Sequence, residues 1–363
     1  MLLTDFEILR PEFETSQEEG LDWLVDAHVK ASQDENLRAS IKESLWRVGC
    51  KPAQIAKRGH VLPDFLHRDW EKMKIYRLHE QPEGKNLTAR SQFFQEEVVK
   101  VFEKFYPENA LAPDDMIHVT CTGYVSPSGA QVIVSQREWG ALTTVTHAYH
   151  MGCYASIPAI RMGQGFLLSD PCKKRADIVH TELCTLHNNP LNHNLDQLVC
   201  QTLFADGFIK YSMLKTTDAP HFRLIAIREE TIPHSLHAMT WTAVEWGFQM
   251  GLSREIPVLI NREIKRFVET LCNPLPKNAL FAVHPGGPKI LNYAVKALGV
   301  SEEQMAFSFQ ILKEYGNMSS ATLPHIWEKI LKDPGVPNGT LIISLAFGPG
   351  LSISGAVMEK VCG

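Results

Sequence analysis

Apolar side chains recur at helical spacing in three places: Leu21, Leu24, Val25, His28 and Val29; Phe94, Val98, Val101, Phe102 and Phe105; and Leu195, Leu198, Val199 and Leu203. That three-to-four-residue rhythm turns one face of a helix to a core. Between these segments lie short apolar or β-branched runs without it, at 116–120, 222–228, 279–283 and 341–347, which predict strands. Helices and strands alternate across both halves of the chain, the pattern of a layered α/β protein.

The C-terminal half reads most clearly. The run 279–283 leads directly into His284-Pro-Gly-Gly, and Pro288 suits the first turn of a helix carrying Ile290, Leu291, Ala294, Val295 and Leu298. Ser301 and Gln304 form a capping box for the next helix, which is expected to stop at Tyr315-Gly316 and leave Asn317 at the break. The run 341–347 meets Gly348-Pro349-Gly350 and returns through Leu351, Ile353 and Ala356 as a hairpin.

Length and charge narrow the role. The 363 residues, 44% hydrophobic, suffice for a large core or two packed ones. No linker, low-complexity segment or short repeat divides them. A net charge of -5 offers no general attraction to nucleic acid or anionic membranes. The opening MLLTDFEILRPEFE has no basic segment followed by a long apolar stretch, and no later apolar run is long enough to span a bilayer, so a cytoplasmic protein acting on small molecules is expected. Eight scattered cysteines without a C-x-x-C pair signal neither a zinc ribbon nor a disulfide framework.

One of those cysteines stands in a distinctive setting. Around Cys153 the chain reads THAYHMGCYASIPAIRMG, with small residues beside the thiol and a helix-compatible pattern after it. A helix N-terminus stabilises a thiolate, which a nucleophile requires. Taken alone, Cys153 reads first as a buried core thiol. Its nearness in sequence to His147 and His150 suggests a metal cluster only superficially, because such helical pairs arise readily, and no metal is expected. Together with His284 and Asn317, each at the end of an element in a glycine-rich setting, Cys153 completes the set that thioester chemistry uses: a thiolate, an imidazole and a second hydrogen-bond donor. A papain-like hydrolase uses the same residue types, so the trio alone does not separate hydrolysis from condensation.

The surrounding motifs do. HPGGPKIL at 284–291, YGNMSSATLPHIWE at 315–328, AFGPGLSISG at 346–355 and LDQLVCQTLFADG at 195–207 resemble the signatures of chalcone synthase-like type III polyketide synthases; QIAKRGHVLPDF and MGCYAS also fit. The resemblance runs from about residue 50 to the end of the chain. It implies a thiolase fold, with two similar halves, 1–220 and 221–363, in a five-layered α-β-α-β-α arrangement, and a homodimer. By the same resemblance Cys153 is the acylated nucleophile and His284 its ion-pair partner, and His284 with Asn317 polarises the extender thioester. Phe204 matches the gatekeeping aromatic, core packing being the plain alternative, and Ser319, Phe347 and Gly350 fall on the substrate chamber. No permanent cofactor is implied; the substrates are acyl thioesters of coenzyme A or of an acyl carrier protein, the latter a possible partner.

Departures from the plant pattern carry information. Met250 stands where plant enzymes have a second aromatic gate, and Trp241 where they have a cavity-floor glycine. Glu182 matches an active-site glutamate, and His187 falls where smaller polar residues shape the chamber. Trp241 and His187 both reduce the room for a growing chain, so few extension steps are expected. Lys51, Lys57 and Arg58, in the basic segment 42–58, do not superimpose on the plant coenzyme A residues but would suit a cationic tunnel mouth; a solvated helix face is the alternative. The second functional reading is a ketosynthase that performs one condensation or couples carrier-bound β-ketoacyl chains into a pyrone or dione, with Glu182 as a base.

Overall fold

The computed structural model describes residues 1–362. Its strands are β1 (Leu2–Leu9), β2 (Phe13–Ser16), β3 (Lys57–His60), β4 (Asp115–Thr120), β5 (Thr144–Tyr149), β6 (Arg175–Leu183), β7 (Asp206–Leu214), β8 (His221–Thr231), β9 (Met239–Val244), β10 (Gly247–Leu252), β11 (Leu280–Val283), β12 (Leu341–Gly348) and β13 (Ser352–Val361). Its helices are α1 (Gln17–Ser32), α2 (Arg38–Val48), α3 (Leu87–Phe105), α4 (Gly129–Gln136), α5 (Ser156–Ser169), α6 (Leu195–Leu203), α7 (Ile256–Leu271), α8 (Pro288–Leu298), α9 (Ala306–Tyr315) and α10 (Thr322–Lys332). Every element read from the hydrophobic pattern is present. The Ser301–Gln304 capping box forms in both directions, and Pro288 opens α8.

Nine strands join in the order β11-β12-β13-β8-β1-β7-β6-β4-β5, and β2–β3 and β9–β10 stand apart as two-stranded ribbons. The nine are two sets joined at β1 and β8 by only two register pairs, Leu2 with Arg223 and Leu3 with Phe222. Successive residues of a strand point to opposite faces, and here each face has its own core. From β4, Met116 turns to a cluster with Phe94, Val98 and Phe102 of α3, while Ile117 and Val119 turn to one with Ile157 and Ile160 of α5 and Trp327 of α10. From β12, Ile342 and Ala346 reach that same central cluster, while Ile343 and Leu345 meet Ile264 and Phe267 of α7 and Leu291 of α8. Three cores between helix and strand layers give a five-layered α-β-α-β-α stack, the thiolase architecture. Sheets covered on both faces read as near-continuous apolar runs, as 341–347 does.

Candidate active site

The nucleophile candidate is set by a turn, not by a helix cap. Gly152 has φ 81°, and a Cβ there would stand 2.6 Å from Pro349, so only glycine fits before Cys153. Ala155 caps α5, which starts at Ser156, leaving Cys153 in the preceding turn. Burial pushes its thiol up to about 12, and bonding from Ser319 and Asn317 opposes that shift. The sulfur lies 3.6 Å from Ser319 Oγ. No hydrogen bond joins Cys153 to His284, and burial pushes the imidazole down to about 3.

His284 follows β11, with its N–H donating to Leu345 O at 2.8 Å on the neighbouring strand. The ring is buried, and neither nitrogen has a partner among the described residues. A buried polar group without a partner is costly and calls for an explanation; an imidazole facing a cavity beside a thiol supplies one.

Asn317 is positioned from both sides. At Gly316, φ is 75° and a Cβ would lie 3.1 Å from Leu203 O, so this break also demands glycine. The backbone of Asn317 then bridges to the chain after α6: its N–H donates to Leu203 O at 3.0 Å, and its carbonyl accepts from Ala205 N–H at 2.9 Å. Its Oδ1 accepts from Ser319 N–H at 2.8 Å and from Thr322 Oγ1 at 3.4 Å. With the amide oxygen occupied, the network assigns the NH₂ end as the free donor. Ser319 is held with φ 49°, uncommon outside glycine.

Cys153, His284 and Asn317 line one cavity of about 340 Å³, with Phe204, Met250 and Phe347 also on its wall. Behind Cys153 lies a smaller recess of about 30 Å³, walled by Cys121, His187, Trp241, Phe248 and Ser319, with Phe204 and Met250 shared between the two. Two expected wall residues, Glu182 and Gly350, are elsewhere. Glu182 lines neither space: it is fully buried at the end of β6 and accepts from Cys121 N–H at 3.0 Å, Thr122 Oγ1 at 2.8 Å and the Ser320 hydroxyl. Burial raises its pKa. Its carboxylate ties the segment after β4 at Cys121–Thr122 to Ser320, beside Ser319. Gly350 sits in the hairpin turn with its N–H on Met239 O at 3.2 Å, and Pro349 takes its place on the recess wall.

The basic residues divide likewise. Lys51 lines the cavity mouth, together with Arg47 and Lys289. Lys57 pairs with Glu14 at 2.7 Å on the β2–β3 ribbon and lines neither space. Arg58 is buried, donating to Gln17 Oε1, Gln201 O and Phe204 O at 2.8 Å each, so it is a structural clamp and not a tunnel cation. Lys289 was open to detection as the residue after Pro288 at a helix start. Cys121, 2.9 Å from Ser319 Oγ, carries no sequence signal beyond that of a core thiol.

The chain is similar to several known proteins. Residues 223–362 match the family of chalcone and stilbene synthases, C-terminal domain. "Probable polyketide synthase 1" of Dictyostelium discoideum is 30% identical over 258 residues, which cover 68% of this chain; the chain spans 8% of that relative's length. PKS-I from the brown alga Ectocarpus siliculosus superposes with a TM-score of 0.84 at 21% identity, covering 99% of this chain and 98% of that one. The C-terminal type III polyketide synthase domain of Steely1 from Dictyostelium gives 0.82 at 23%, covering 99% of each. The 1,3,6,8-tetrahydroxynaphthalene synthase of Streptomyces coelicolor A3(2) gives 0.82 at 21%, covering 100% of each. The fold is the thiolase fold of these condensing enzymes. Within that fold the chain is similar to the chalcone synthase-like, type III polyketide synthases, most directly over residues 223–362.

Proposed function

We propose that this enzyme joins acyl thioesters by decarboxylative Claisen condensation, with Cys153 carrying the starter. The observation that carries this reading is the convergence of Cys153, His284 and Asn317, from three separate elements, on one cavity. His284, without an internal partner, accepts the thiol proton as Cys153 Sγ attacks the starter thioester and the carrier thiolate leaves. The resulting imidazolium and the Asn317 NH₂ group then face the extender's carbonyl. A malonyl-type extender loses carbon dioxide, and the two donors hold the enolate oxygen. The enolate carbon bonds to the acyl carbon as the bond to Cys153 Sγ breaks. Removing one such donor typically costs about 10²–10³ in rate.

The reading extends to a small number of extension steps, which the narrow recess favours, and needs no permanent cofactor. Coenzyme A and phosphopantetheine both present phosphate, which suits the Arg47, Lys51 and Lys289 mouth. A homodimer, division of the halves near residue 220 and a cytoplasmic location belong to the same proposal. Eight free cysteines agree with a reducing compartment, and no helix among the described residues is long and apolar enough to cross a membrane. The test is to incubate purified protein with acyl-coenzyme A starters and malonyl-coenzyme A, with and without carrier protein, and to identify products by mass. Hydrolysis without carbon–carbon bond formation under every condition would overturn the proposal.

A further inference from the structure

Condensation requires two acyl groups at Cys153 at once, one on the sulfur and one on the extender. His284 and Asn317 line the outer cavity and are absent from the wall of the inner recess. The extender needs both donors, so it occupies the outer cavity. The acyl group on Cys153 is left with the recess. That recess measures about 30 Å³. The outer cavity measures about 340 Å³, so the recess, far the smaller of the two, takes only a few atoms beyond the sulfur.

The recess is closed by the β9–β10 ribbon, which lies outside the nine-stranded sheet and is held by side-chain to backbone bonds. Trp241 Nε1 donates to Cys121 O at 2.6 Å. His187 Nδ1 lies 3.1 Å from Phe248 N, and its Nε2 lies 2.8 Å from Thr122 O. A backbone N–H can only donate, so Nδ1 accepts from Phe248 and Nε2–H donates to Thr122; the two partners select one neutral tautomer. The His187 ring also packs on Phe248 and Trp241, with centroids at 4.6 and 5.8 Å. Gln197 Nε2 donates to Met250 O on the same ribbon. The wall is therefore fixed by bonds that owe nothing to a bound acyl group.

We propose that the starter is a short acyl group of two or three carbons, and that His187 sets this limit by pinning the ribbon over the recess. The inference rests on the condensing reading above. Transfer follows the same balance: Cys153 Sγ replaces the carrier thiolate on the acyl carbon, and the extender's enolate carbon then replaces Sγ. A longer acyl group can load Cys153 by pointing outward, but it then fills the space the extender needs.

The test gives the full-length enzyme malonyl-coenzyme A with either acetyl- or octanoyl-coenzyme A, reading the Cys153 adduct by intact mass and the condensation product by chromatography and mass. The wild-type enzyme is expected to form both adducts, yet to condense the octanoyl group more slowly per adduct, by about tenfold or more. His187→Ala should raise the octanoyl-to-acetyl product ratio about tenfold. His187→Gln, which can donate to Thr122 O and accept from Phe248 N–H, should keep the wild-type ratio. A thermal melt checks each variant's folding; if His187→Ala does not fold, Trp241→Phe, which lacks the indole donor, takes its place. Equal condensation of the two starters by the wild type overturns the size limit. A folded His187→Ala with an unchanged ratio overturns the role of His187. Failure of every donor to acylate Cys153 overturns the condensing reading and this inference with it.

Discussion

At the residue scale, chemistry depends on which of many similar side chains meets the cavity. Cys153 is one of eight free cysteines, and Cys121 and Cys184 are buried close by on the recess wall. Cys50 also lines the cavity that holds His284, but only Cys153 lines both that cavity and the recess behind it, with Ser319 Oγ at 3.6 Å, so it alone should carry the acyl adduct. Intact mass after starter addition checks this, and a full adduct on Cys153→Ala would contradict it. Asn317 makes a sharper case, because its oxygen is already bonded and only its NH₂ end is free. Asn317→Ala should lower malonyl decarboxylation by about 10²–10³ while Cys153 acylation falls much less; an equal loss in both partial reactions would refute the division of roles. These residues were legible because each sits at a glycine-demanding break, which a sequence displays. Cys121 and the bracing role of Glu182 were not, since burial and partners come only from the fold.

At the element scale, the tunnel mouth is assembled from the end of α2 and the start of α8, and charge alone misidentified its members. Arg58 and Lys57 look like equivalent cations in sequence, yet one is clamped inside and the other paired on the surface. Lys289→Ala should raise KM for the carrier thioester severalfold and weaken the salt dependence of KM, whereas Lys57→Ala should change neither, as steady-state kinetics at two ionic strengths would show. Arg58→Ala should instead destabilise the fold, by about 3–5 kcal/mol, since its three oxygen partners lose their donor; a denaturant midpoint matching that of Lys57→Ala would contradict the clamp. Strands hid for a related reason. β6 reads RADIVHTEL, and its buried Asp177, His180, Thr181 and Glu182 break any apolar pattern because their hydrogen bonds are made inside.

At the scale of the whole molecule, an interior rich in neutral imidazole sets the response to acid. Burial lowers His118, His187 and His284 to about 3 and His28, His60 and His325 to about 4. In the unfolded chain these rings titrate near 6.5. Between those values the unfolded state binds more protons, so stability is present above about pH 6.5 and is lost as pH falls toward 4. Asp206, raised by burial to about 7, acts in the opposite sense and offsets only part of it. The denaturant midpoint should therefore drop steeply between pH 6.5 and 4.5; a flat profile would show that the rings are already protonated in the fold. The layered architecture itself was legible from alternating helix and strand patterns, but the thinness of the β1–β8 junction was not, because pairing partners distant in sequence leave no local trace.

The bridge between Asn317 and the chain after α6 is made by main chain alone. Exchange of side chains at 203, 205 or 317 leaves those bonds available, so ordinary sequence drift passes over this joint without loosening it. Proline is the exception, since it removes the donor itself. Ala205→Pro should uncouple the Asn317 carbonyl from its anchor, leaving a chain that retains most of its helix by circular dichroism but has lost condensation activity. Full turnover in that variant would mean that the catalytic amide keeps its place without the joint.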